Sequence, residues 1–85
     1  MNSTPNSSPT QNLRSWLVQK RASSGLSLRE AGDILNIHHS VLGKIEQGSR
    51  KMEISEFVQY CHAIGADPHE GIDVLIKSNQ SLALL

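Results

Sequence analysis

The chain has 85 residues, enough for one domain with a small core. Its single cysteine, Cys61, rules out an internal disulfide and points to a reducing cytoplasm, and no apolar run suits a bilayer span or a signal peptide. The 8 basic and 8 acidic residues cancel only in total: residues 1–52 hold seven basic side chains against three acidic (net +4), residues 53–85 one against five (net −4), so one end suits a polyanion and the other does not.

In chain order, residues 1–9 are polar, broken by proline and uncharged, which predicts a disordered arm. A folded domain is expected over residues 10–77, with Thr10 capping a first helix whose apolar stripe is Leu13, Trp16 and Leu17, ending near Ser24-Gly25. Ser27 followed by Glu30 is a capping box that opens a second helix at Leu28. Leu28, Ala31, Ile34 and Leu35 recur at helical spacing and predict one buried face. Asn36 sits where the chain turns, because asparagine tolerates a left-handed backbone best after glycine. Ile37 plugs that turn, and Val41, Leu42 and Ile45 restart the period in a third helix. After a Gly48-Ser49-Arg50-Lys51 loop, a fourth helix runs from about Ile54 to Ile64, with Ile54, Phe57, Val58, Cys61 and Ile64 on one face and Gly65 as its stop. Asp67-Pro68-His69-Glu70 opens a fifth helix, from which Ile72, Leu75 and Ile76 are expected to face inward. Residues 78–85 form a tail whose last five, Ser81 to Leu85, are mostly apolar and carry no assigned element.

Two short helices across a tight turn are the device that places side chains in the DNA major groove. The positions left facing outward in the third helix are His39, Ser40, Gly43, Lys44 and Gln47, small or hydrogen-bonding residues rather than the Glu and Lys mixture of an idle face. The most specific string, Ile45-Glu46-Gln47-Gly48-Ser49-Arg50, matches an Ile-Glu-x-Gly-x-Arg pattern, and from about Leu26 to Ile72 the chain resembles the Cro/C1-type (XRE-like) helix-turn-helix domains of phage repressors and small bacterial regulators. The resemblance implies an all-α, compact five-helix bundle of the lambda-repressor-like type with a central helix-turn-helix. It implies an ion pair between Arg21 and Glu46, and base contacts by His39, Ser40, Gly43 and Lys44. The sequence departs from the family pattern at Leu28, where a phosphate-gripping Gln is usual, at Gly32, where Ala is usual, and at Asn36, where Gly is usual. Arg29 or the backbone amides at the helix start can take over the phosphate contact.

Further phosphate contacts are expected from His38, Gln47, Arg50 and Lys51, with His38 also at the cap position of the third helix. Cys61, His62, His69 and the His38-His39 pair have no zinc-ligand spacing, no catalytic arrangement is present, and neither a metal nor a cofactor is expected. The sequence therefore predicts a non-enzymatic, cytoplasmic, nucleoid-associated regulator, a repressor in outcome, with double-stranded DNA as its partner. No membrane association or small-molecule substrate is expected. One recognition helix reads few base pairs, so a homodimer on a pseudo-palindromic operator is expected. Ile72, Leu75, Ile76, Leu82, Leu84 and Leu85 are the expected dimerisation residues. The alternative is a helix-turn-helix that docks on protein, such as an antitoxin-like module or a subunit of a regulatory complex.

Overall fold

The computed structural model describes residues 8–83, with side chains as far as Asn79. They form α1 (Pro9–Ser23), α2 (Leu28–Leu35), α3 (His39–Gln47), α4 (Ile54–Ile64) and α5 (Pro68–Ala83), with no strand among the described residues.

A side-chain hydrogen bond to a backbone N–H stands at the start of each of the five helices. Ser8, not Thr10, caps α1: its hydroxyl accepts from the Gln11 N–H at 3.1 Å and the Gln11 side chain accepts from the Ser8 N–H at 3.0 Å. Ser8-Pro9-Thr10-Gln11 carries both a proline at the first helical position and a glutamine at the third, whereas Thr10 is followed three residues later by Leu13. Residues 1–7 of the expected arm lie outside the described residues. Ser27 and Glu30 make the same reciprocal pair at α2, at 3.0 and 2.9 Å. At α4 the Glu56 carboxylate accepts from the Glu53 N–H at 2.9 Å, and Asp67 accepts from the His69 N–H at 2.9 Å before α5. These backbone amides hold the carboxyls of Glu30, Glu56 and Asp67 below their ordinary range, with Arg50 adding to the effect on Glu56 and the His69 ring to that on Asp67.

The core is Leu13, Leu17, Ala31, Leu42, Ile45, Phe57, Tyr60, Cys61 and Ile64. Burial pushes the Cys61 thiol up to about 11, so it stays protonated as a small apolar group. Helix α5 runs back along α1: Asn12 donates to Ser78 at 2.9 Å, Gly71 lies beneath Trp16 and Phe57, and Lys20 reaches Glu70 at 3.4 Å.

Three expected core residues are exposed instead: Ile34 at 58%, Ile54 at 68% and Ile76 at 49%. Ile34 stands about 110° round α2 from the centre of its buried face, since successive residues turn by about 100°. Ile54 is the first residue of α4, ahead of its covered turns, and Ile76 is one position past Leu75, which packs on the core. Tyr60, outside the expected face of α4, is 1% exposed. Helix α5 continues to Ala83, through part of the stretch without an expected element; Leu84, Leu85 and the Leu82 side chain lie outside the described residues.

Candidate nucleic-acid interface

The site is built around the contact between α2 and α3. Asn36 closes α2 at φ 59° and ψ 40°, and the Ile37 N–H turns back onto the Gly32 carbonyl at 2.9 Å. Gly32 is required by proximity: a Cβ there would lie 2.6 Å from the Ile37 carbonyl oxygen and 3.3 Å from the His39 nitrogen. Removing that one side chain lets the turn close tightly enough for α3 to start two residues after Ile37.

His38 caps α3, its Nδ1 accepting from the Ser40 N–H at 3.2 Å and lying 2.8 Å from the Ser40 hydroxyl. With Nδ1 used as an acceptor, the ring proton belongs on Nε2, which remains available as a donor. The Ser40 hydroxyl donates inward to His38 and keeps its lone pairs for an outside donor. His39 is half-buried, its ring stacked on His38 with centroids 4.4 Å apart. Ser40, Lys44 and Gln47 are exposed along one side of α3, flanked by exposed Arg29 on α2 and Arg50 and Lys51 in the following loop. Gly43 corrects the expectation: it is buried, with Leu28 packed over it at 3.7 Å from a would-be Cβ, so it serves the α2–α3 contact and offers no face to a base.

The far end of α3 is locked to the rest of the molecule. Arg21 grips Glu46 through Nε at 2.7 Å and Nη2 at 3.0 Å, and its Nη1 donates to the Leu26 carbonyl at 3.0 Å. The Tyr60 hydroxyl donates to the same carboxylate. Burial, followed by the bond to Glu46, pushes the Tyr60 hydroxyl pKa well above its ordinary value, and the Glu46 bond raises that of Arg21. Tyr60 therefore stays neutral and Arg21 charged at neutral pH, and the two clasp the Glu46 carboxylate as a brace. Gly48 then ends α3 at φ +88°, and the Lys44 carbonyl accepts from the N–H groups of Gly48, Ser49 and Arg50 at 3.0, 3.0 and 3.2 Å. Arg50 is held by Glu56 at 3.2 Å, which places its guanidinium but shares its charge.

Two residues missing from the sequence expectation belong here. Tyr60 was legible, since Phe57, Tyr60, Cys61 and Ile64 form a helical stripe. Arg14 was not: its guanidinium lies across Gly48, so close that a Cβ there would be 2.6 Å from Cζ, a contact between residues far apart in the chain. Among the described residues no three His, Cys, Asp or Glu side chains gather as a metal site, and no helix is long and apolar enough to cross a membrane.

A family model for the helix-turn-helix domain matches residues 16–71. Among solved structures, the chain is similar to an XRE-family like protein from Pseudomonas syringae pv. tomato str. DC3000, at 28% identity and a TM-score of 0.77, over 81% of this chain and 84% of that one. It is also similar in fold to the clp gene regulator ClgR from C. glutamicum, at 24% identity and a TM-score of 0.72, over 82% of this chain and 91% of that one. No curated protein matches the sequence at a significant level.

Proposed function

The chain belongs to the helix-turn-helix domain family, in its XRE type, and from that premise we propose that it is a sequence-specific DNA-binding transcriptional regulator that represses by occupying a pseudo-palindromic operator as a homodimer. The observation that carries this reading is the exposed row Ser40, Lys44 and Gln47 on a short helix that Gly32, Gly43 and the Arg21–Glu46–Tyr60 brace hold in a set orientation. Such a row suits base edges in the major groove, where Lys44 is matched to guanine O6 and N7 and the lone pairs of Ser40 to a base amino group. His38 Nε2, Arg29, Gln47, Arg50 and Lys51 then supply the phosphate contacts around it.

The domain proper takes in Ser8 to at least Ser78, whose hydroxyl ties α5 to α1. For the dimer, Ile72 and Leu75 pack on the core, so among the described residues exposed Ile76 is the apolar contact that α5 offers a second copy. A cytoplasmic, nucleoid-associated location follows from a DNA partner. Selection of bound sequences from a random duplex pool tests the proposal: a recovered motif with two-fold symmetry and half-sites one helical turn or a multiple apart is expected. Recovery of no motif, together with binding that barely responds to salt, would instead support a protein-docking helix-turn-helix.

A further inference from the structure

Between the first half of α1, the loop after α3, the start of α4 and the middle of α5 lies a groove of about 510 Å³. Leu13, Ile45, Phe57, Ile72 and Leu75 make its apolar floor and walls, and exposed Ile54 stands at its lip. Its charged lining has one sign. Arg14, Arg50 and Lys51 border it, and among the described residues no carboxylate does. Arg50 is drawn to Glu56 from outside that lining, whereas Arg14 has no ion-pair or hydrogen-bonding partner among the described residues and rests on Gly48.

This combination selects among occupants. A volume of this size is within the range of small-molecule sites. A second copy docked about a two-fold axis on this groove would bring the cations of each rim toward their own duplicates, a like-charge arrangement that opposes the contact. A DNA phosphate satisfies the rim but leaves exposed Ile54 and the half-buried Ile72 and Leu75 in water. We propose that the groove binds a medium-chain carboxylate, its hydrocarbon on Ile54, Ile72 and Leu75 and its carboxylate on Arg14 and Lys51. Ile45 is the inner face of α3, and the loop that borders the groove carries the expected phosphate contacts. A bound carboxylate therefore draws Lys51 away from DNA and opposes operator binding. That regulatory consequence rests on the DNA-binding reading; the ligand site itself does not.

The experiment is a titration of the full chain, without DNA, followed by NMR on its amide, methyl and arginine Nε resonances, using octanoate as probe. Octanol supplies the same chain length without charge, and acetate supplies the carboxylate without the chain. Saturable shifts confined to the groove are expected with octanoate, with octanol and acetate each much weaker. Arg14→Gln is expected to weaken octanoate about tenfold, the scale of one charge-assisted hydrogen bond, and to leave octanol unchanged. Ile54→Glu, at an exposed position where the fold is not at risk, is expected to abolish octanoate binding by placing a negative charge at the lip. Equal responses to octanoate and octanol, or no saturable shift, would overturn the site. Groove resonances that move only with protein concentration would overturn it in favour of a contact between copies. With octanoate bound, affinity for a selected operator is expected to fall about tenfold, as expected for the loss of one cation's contact. An unchanged affinity would remove the regulatory consequence and leave the ligand site standing.

Discussion

Lys44 and Ser40 lie one helical turn apart on the exposed side of α3, and each has a distinct chemistry to offer a base pair. Lys44→Ala is expected to cost about 1–3 kcal/mol of specific affinity if its ammonium reaches a base edge, and to relax specificity at that position only. Operator titrations with unchanged affinity and specificity would exclude Lys44 from the interface. Behind this row, Glu46 has a side chain only 8% exposed and answers two donors, Arg21 and Tyr60. Glu46→Ala leaves the Arg21 guanidinium, itself 16% exposed, without its counter-charge, at an expected cost of about 3 kcal/mol in stability. Tyr60→Phe removes one hydrogen bond to a charged group and is expected to cost about half as much. Denaturant unfolding of both variants checks this ordering, and a larger loss in Tyr60→Phe would place the brace on the tyrosine instead.

At the level of elements, the helix starts and the α2–α3 turn have separable energetics. Glu30, Glu56 and Asp67 each hold a folded-state pKa below the ordinary carboxylate value because a backbone N–H at a helix start is bonded to the charged form. The unfolded chain then binds more protons, so stability is fully present above the unfolded value of about 4 and is lost as pH falls through the lower folded values. Thermal melts between pH 6 and pH 2 are expected to show this acid loss, and Glu30→Gln, which keeps the capping geometry without the charge, should flatten part of it. A melting profile for Glu30→Gln parallel to the parent across that range would deny Glu30 its part. At the turn, Gly32→Ala gains about 1 kcal/mol of helix propensity but forces a methyl group against the Ile37 carbonyl, a backbone atom that cannot rotate away. Overpacking of this kind costs about 1–3 kcal/mol, so a net loss in stability and a displaced α3 are expected. A variant that melts higher than the parent would show that the turn can open at little cost.

For the whole molecule, the balance of eight basic and eight acidic residues conceals two parts of opposite sign, which bears on the proposed arrangement of two copies on a duplex. The negative part includes α5, so the proposed dimer contact is expected on that side, away from the DNA phosphates. Ile76→Glu changes an exposed residue, so the monomer fold should survive. Sedimentation is expected to give a monomer at concentrations where the parent is a dimer, with far weaker binding to a full operator. A variant that remains dimeric would move the interface off this face of α5.

The features legible in the residues alone are local. Ser27 with Glu30, Asn36 at the turn, Gly48, Gly65 and Asp67-Pro68 are decided by hydrogen bonds and backbone angles within a few residues, so element order and the helix-turn-helix were legible from residue spacing. Ser8 was legible in the same way, since its capping box stands in the sequence one turn ahead of the stripe it starts. The tertiary structure decided whatever depends on which neighbours cover a surface. Ile34 and Ile76 have the residue type of a core but fall beyond the width that adjacent helices shield, and Ile54 precedes the covered turns of α4, while Gly43, with the size of a surface residue, is buried under Leu28. Periodicity gives the direction of a face and not its width, because the width is set by helices far away in the chain. The same reason separates Arg21 from Arg14. A motif carried the Arg21–Glu46 pair, but no local pattern could bring Arg14 across Gly48 and beside an apolar groove; that contact exists only once α1 has packed against the end of α3.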